Sequence, residues 1–206
     1  MGTITNYTTL LEAIADWVDS PEVEQIADQM VQFVEADLNS RLRCREMIIR
    51  ARATSSAEYV QLPSDWAEGI NLQIIGGSSP MRYVTLDESD IVKKAQNYTA
   101  TQFYSLMNGA IELVPAPAND VEIEMVYYGK IPALTSVNTT NWLLTKAPDI
   151  YLYGALTHAA PFLKNDARIQ TFGQIYLARV ESLQEEAQKS MHSGSPLIAR
   201  TRRTFA

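Results

Sequence analysis

Cysteine is almost missing from this sequence: Cys44 stands alone among 206 residues, which excludes an intrachain disulfide and any cysteine-based metal cluster. Histidine is nearly as scarce. His158 and His192 are the only two, and neither has a metal-ligand partner three or four residues further on. No Lys or Arg occurs before Arg41; Arg41, Arg43, Arg45, Arg50 and Arg52 then follow closely, and Arg200, Arg202 and Arg203 crowd the end. The formal net charge of -7 argues against a general nucleic-acid binder, which neutralises phosphates with surplus cations. Long apolar runs are missing too. Met1-Gly2-Thr3-Ile4-Thr5 lacks the basic start and apolar stretch of a signal peptide, and Gly154, Thr157, His158 and Pro161 interrupt the most apolar helix candidate. Neither export nor a membrane span is expected. Stability must come from packing or assembly, and a hydrophobic content of 46% is enough to fill a core.

What is present reads first as helix. Thr9 followed by Glu12 has the spacing of a capping box, and Leu10, Leu11, Ile14, Trp17 and Val18 then form an apolar face. Ser20 as N-cap, Pro21 at the first helical position and Glu22 and Glu24 near the positive dipole end predict a second helix, with Val23, Ile26, Ala27, Met30, Val34, Leu38 and Leu42 along one side. The two should form a short antiparallel pair.

After Arg45 the period becomes alternating: Ile49, Ala51 and Ala53 interleave with Arg50 and Arg52, as in a half-buried strand. Asn71 to Ile75 and Met81 to Thr85 flank the turn-rich Gly76-Gly77-Ser78-Ser79-Pro80 and predict a hairpin with a long loop. Asp87 to Ala95 reads as a short helix. Gln102 to Leu106 and Ile111 to Val114 flank Met107-Asn108-Gly109-Ala110, where Asn-Gly suits a type I′ turn. Pro115 to Asp120 breaks the chain, and Val121 to Tyr128 alternates again, so an antiparallel meander is expected.

Helix returns at Pro148 and Asp149. Ile150 to Leu163 is apolar nearly all round, as in a central helix buried on several sides. Asp166 should open the last helix, with Ile169, Phe172, Tyr176, Val180, Leu183 and Ala187 on one face, Glu185 and Lys189 paired on the other, and Ser193-Gly194-Ser195-Pro196 as its end. The order predicts an α+β chain. A helical bundle built from N-terminal helices (residues 1–45) and C-terminal helices (131–192) carries an inserted antiparallel β lobe (46–130) and an extended C-terminal arm (193–206).

Chemistry is thinly signalled. His158 in an apolar helix reads as a hydrogen-bonded core residue. Gly76-Gly77 lacks the context of a phosphate-cradling loop. Glu122 and Glu124 are the best-spaced carboxylates for two-carboxylate hydrolysis, yet alternating Glu on a strand is normally its wet face, and no serine has a nucleophile-elbow context. Arg41, Arg43 and Arg45 suit either an acidic partner or the negative end of a helix. Trp17, Trp66 and Trp142 read as core or interface anchors. The final stretch, Leu197 to Ala206, mixes apolar and basic residues with no acid beyond a flexible joint, a composition equally suited to a docking arm or a plain chain end.

Four stretches carry a resemblance: Tyr127-Tyr128-Gly129-Lys130-Ile131-Pro132-Ala133-Leu134; Asn141-Trp142-Leu143-Leu144; Pro148 to Leu156; and Ala160 to Arg168. They resemble the phage adaptor family, the head-to-tail connectors of tailed bacteriophages, also called tail tubular or gatekeeper-type proteins. Asn165 departs from the acid expected there. The resemblance implies a non-enzymatic structural virion protein without cofactors, made in the host cytoplasm. It implies a dodecameric ring below the portal that lines part of the DNA channel and offers its other face to a tail or nozzle protein. It also implies that the arm reaches the portal, which makes Pro196, Leu197, Ile198, Arg200, Arg202, Arg203 and Phe205 the candidate portal-binding residues. The competing readings are a peptidoglycan-cleaving virion protein using Glu122 or Glu124, and a non-viral helical binding module.

Overall fold

The computed structural model describes residues 3–18, 21–95, 98, 100–159 and 168–192. It mixes helices and sheets, in keeping with the α+β class, and divides into two compact units: Met1–Glu46 with Ile131–Ala206, and Met47–Lys130.

The first unit is helical. Helix α1 (Tyr7–Val18) is capped one turn earlier than the Thr9 and Glu12 spacing suggests. The Asn6 side chain accepts from the Thr9 backbone N–H at 2.9 Å, and the Thr9 hydroxyl accepts from the Asn6 N–H at 3.1 Å. Asn is among the best N-caps, and Thr9 takes the reciprocal place that Glu usually fills. Leu10, Ile14 and Val18 are buried. Helix α2 (Pro21–Arg41) starts on Pro21 as expected; Ser20 and the side chains of Glu22 and Glu24 lie outside the described residues. Val23, Ala27, Met30, Val34 and Leu38 are buried along it, and Leu42 just beyond.

A short helix that the periodicity did not predict, α4 (Trp142–Lys146), is started by Asn141, whose side chain accepts from the Leu144 N–H at 2.8 Å. Helix α5 (Pro148–His158) follows directly. It packs on α1, α2, α4 and the last helix (Arg168–His192) and is largely buried, with Tyr153, Thr157 and His158 half-buried; it ends at His158, and the continuation expected over residues 160–163 lies outside the described residues. Helix α6 (Arg168–His192) buries Phe172, Tyr176, Val180, Leu183 and Ala187, with Lys189 3.7 Å from Glu185; Asp166 and the Ile169 side chain lie outside the described residues. Trp17 packs edge-on to Tyr153 and Phe172, with ring centroids 6.1 and 5.9 Å away, which is the anchoring role expected of it.

Among the described residues the second unit holds seven strands: β1 (Ile48–Ser55), β2 (Tyr59–Gln61), β3 (Trp66–Ile74), β4 (Arg82–Tyr83), β5 (Phe103–Met107), β6 (Ala110–Val114) and β7 (Val121–Gly129), with helix α3 (Leu86–Lys94) between β4 and β5. They form two sheets, ordered β1-β7-β3 and β2-β6-β5-β4. Leu72, Met125 and Tyr127 from the first sheet meet Ile111 and Leu113 from the second, with Met81, in one core.

Two expectations fail here. The hairpin of Asn71–Ile75 with Met81–Thr85 does not form: β3 pairs with β7 and β4 runs parallel to β5, so the segments belong to different sheets. One backbone bond, Met81 N–H to the Leu72 carbonyl at 2.8 Å, is all they share as a ladder. The sheets are not a meander either, since the last strand, β7, lies between the first and the third. Alternation tells which face of a strand is buried, not which neighbour it takes. The Asn108-Gly109 hairpin does form, with Met107 opposite Ala110 and Gly109 at φ 77°.

Candidate functional site

Glu124 is the residue that most needed a structure to interpret. Because β7 is flanked on both sides, Glu124 is only 1% exposed, against the expectation of a wet face. Its carboxylate accepts from Arg50, Arg52 and Gln73, each at 2.8 Å. The hydrogen bond from Arg52 holds it below the usual carboxylate range, against the opposing effect of burial and with help from Gln73 and Arg50. A carboxyl kept ionised by two guanidinium groups cannot donate a proton as a general acid. Glu122 is about half exposed and 3.9 Å from Arg52. The pair builds a cross-strand ion network that leaves Glu124 no role as a proton donor.

A second buried carboxylate carries little signal in the sequence. Glu112 on β6 is 4% exposed and accepts from the hydroxyls of Ser89 and Ser105 and from the ammonium of Lys93, with the Tyr59 hydroxyl at 3.4 Å. Burial pushes this carboxyl up, but Lys93, Ser105 and Ser89 outweigh it and hold it at about 2. Lys93 also pairs with Glu58 at 2.6 Å, so it stays protonated and cannot serve as a base to either serine. The cluster ties α3 to the β2-β6-β5-β4 sheet. Its one trace in the sequence is a charge inside the apolar run Ile111-Glu112-Leu113-Val114.

Three of the stretches behind the family resemblance contribute packing and backbone contacts, while residues 160–167 of the fourth lie outside the described residues. Asn39 and Glu35, one turn apart on α2, accept from the backbone N–H groups of Ile131 and Leu134, both at 2.8 Å. Asn141 donates to the Pro132 carbonyl at 2.8 Å and to the Tyr151 hydroxyl at 2.7 Å, and that hydroxyl reaches Glu35 at 3.3 Å. Ile-Pro-Ala-Leu is thus strapped to α2 through the backbone N–H groups of its two buried residues although it forms no regular element. Burial raises the Glu35 carboxyl, opposed by the bonds from Leu134 and Tyr151. Its contribution to stability is therefore present below the normal glutamate range and lost as pH rises through the raised value. Glu35→Gln keeps an acceptor for both donors, so stability at pH 7 should change by no more than about 1 kcal/mol. The dependence on pH above the normal glutamate range should flatten, as thermal unfolding at several pH values will show.

Other residues singled out by sequence find ordinary places. Arg41 pairs with Asp37 at 2.7 Å, and Arg43 donates to the carbonyls of Asn39 and Leu42, satisfying the end of α2. His158 packs against the ring of Phe33 at 5.7 Å. Gly77, Ser78, Ser79 and Pro80 help wall an open cavity of about 460 Å³ with no charged side chain in its lining, unlike a phosphate cradle. Among the described residues no group of three or more His, Cys, Asp and Glu is placed to hold a metal ion. No described helix is long and apolar enough to cross a membrane. The candidate portal-binding residues Pro196, Leu197, Ile198, Arg200, Arg202, Arg203 and Phe205 lie outside the described residues.

Buried ionic groups here are locked into structural networks. Comparison with known proteins points the same way. No curated protein sequence matches the chain. The model of one family, described as SU10 adaptor protein, matches residues 5–200, nearly the whole length. That is a family of phage head-to-tail adaptors, structural proteins of the virion that work by contact with other virion proteins and not a family of enzymes. The chain belongs to the SU10 adaptor protein family.

Proposed function

We propose that this chain forms a dodecameric ring below the portal, extends the channel through which DNA passes, and offers its opposite face to a tail or nozzle protein, in the manner of a tail tubular or gatekeeper protein. The observation that carries this reading is the family match over residues 5–200. The net charge of -7 supports it, since a wall that does not grip phosphates lets DNA slide. A closed ring of identical subunits needs two different, complementary surfaces on each copy. The helices of residues 1–45 and 131–192 would supply ring contacts, and the strands of residues 46–130 would face neighbours or the tail. In this reading the protein is made in the host cytoplasm and resides at the head-to-tail junction.

The arm of residues 193–206 is the proposed portal contact. Its apolar side chains Leu197, Ile198 and Phe205 would seat in the portal while Arg200, Arg202 and Arg203 meet acidic groups there. A chain ending at Ser195 is expected to lose at least about tenfold in co-sedimentation with purified portal, the scale of one or two anchor residues. Unchanged binding would remove the arm's role. A density map of the virion neck lacking this polypeptide would overturn the whole reading.

A further inference from the structure

The three-stranded sheet has two edges of different character. Along β3 the register with β7 shifts twice, between Trp66 and Glu68 and between Gly69 and Asn71. Such bulges twist an edge away from intruding strands. Strand β1 has no such guard. Its eight residues pair one-to-one with β7 from Ile48 opposite Tyr128 to Ser55 opposite Val121. Among the described residues its other edge makes no backbone hydrogen bond. Edge cations often keep strands apart by projecting past the edge. Here Arg50 and Arg52 are drawn back across β7 to Glu124 at 2.8 Å each.

A second observation coincides with this edge. Between residues of the two sheets, an open and mainly apolar slot of about 90 Å³ is lined by Ala51, Arg52, Ala53, Val60, Ile111 and Met125, among others. Ala51 and Ala53 contribute only single methyl groups to its wall. The outward face carries charge. The Arg50 and Arg52 side chains are 64% and 61% exposed and share one buried carboxylate, with Glu122 further off at 3.9 Å.

We propose that the free edge of β1 is a docking site for an extended segment of another protein in which apolar and acidic residues alternate. Such a segment adds a strand beside β1. Its main chain satisfies the open edge, its inward apolar side chains enter the slot beside Ala51 and Ala53, and its outward carboxylates meet Arg50 and Arg52. The site lies within one unit and does not depend on ring formation or on the portal arm.

The probes are seven-residue peptides added to the full chain: alternating Val and Glu, alternating Val and Lys, and the Val and Glu peptide methylated at every backbone nitrogen. Binding is read by fluorescence anisotropy and location by amide hydrogen exchange. The Val and Glu peptide is expected to bind at least tenfold more tightly than the other two and to slow exchange in residues 48–55. Ala53→Leu, at a position that tolerates added bulk, should fill the slot and weaken binding about tenfold. Equal binding of the three peptides, no binding, no protection of residues 48–55, or full binding to Ala53→Leu would each overturn the proposal.

Discussion

Gly154→Val is expected to cost the helical unit about 3 kcal/mol, the upper end of overpacking penalties. Gly154 is in the middle of α5, where glycine gives up about 1 kcal/mol of helix propensity relative to Ala, so its presence needs a packing reason. That reason is close approach: a Cβ there would stand 2.9 Å from one methyl of Val34 on α2 and 3.0 Å from both the other methyl and the Tyr176 ring on α6. Neither neighbour can swing away, because Val34 is fully buried and the Tyr176 hydroxyl is tied to Asp37 at 2.7 Å. Valine adds two further carbons to the conflict. At about 2–4 °C per kcal/mol for a chain of this size, melting of the helices by circular dichroism should fall by about 6–12 °C. Adding Val34→Ala should recover part of the loss, with a coupling of about 1 kcal/mol or more in a double-mutant cycle. A Gly154→Val protein that melts like the parent would mean that α2, α5 and α6 do not meet at this glycine.

Glu112→Gln should be comparably costly for the sheet unit. Removing one partner of a buried charge pair typically costs 3–5 kcal/mol; Lys93 retains Glu58, which places the expected loss near the lower end, about 3 kcal/mol. The amide leaves one acceptor for Ser89, Ser105 and Lys93, and turns its own N–H₂ toward groups that already donate. The parent's dependence on pH carries the same signature. The Glu112 carboxyl sits at about 2 when folded and near the ordinary 4.5 when unfolded, so its stabilisation is complete above about 4.5 and is lost as pH falls from there toward about 2. Urea denaturation should therefore show a large gap between parent and Glu112→Gln at pH 7 that narrows markedly by pH 3. An equal gap at both values would deny Glu112 this role.

The helices were largely legible from the sequence because their signals are local. Leu10, Ile14 and Val18, or Tyr176, Val180 and Leu183, face inward through helical spacing alone. Glycine at a turn is local too, which is why the Asn108-Gly109 hairpin was foreseen. Pairing across the sheets is not local. Nothing near Asn71 reveals that its partner is Val126, fifty-five positions away and opposite it in the ladder, so the nearby turn-rich Gly76 to Pro80 suggests a hairpin that does not form. The burial of Glu124 is non-local for the same reason, since a strand's wet face becomes dry only when its neighbours cover it, here with Arg50 and Arg52 from β1 and Gln73 from β3. The short α4 was hidden by its length, its one strong cue being Asn141. The family resemblance includes Asn141 and Tyr151, which help hold the Ile131 to Leu134 stretch against α2, so in part it spoke of architecture before function.

One register pair has a bearing on how this chain acquires its shape. Ile48 lies opposite Tyr128, so the strand that opens the sheet unit and the strand that closes it are zipped together at their outer ends. During synthesis α1 and α2 emerge long before α5 and α6, which must later find them. A floppy insert would make that search a wide loop closure; a zipped one presents the helices with a connection only a few residues across. Each halving of the effective loop returns about 0.6 kcal/mol. Two or more halvings would let the β1–β7 pairing shorten the search of the late helices for the early ones by lowering its entropy cost.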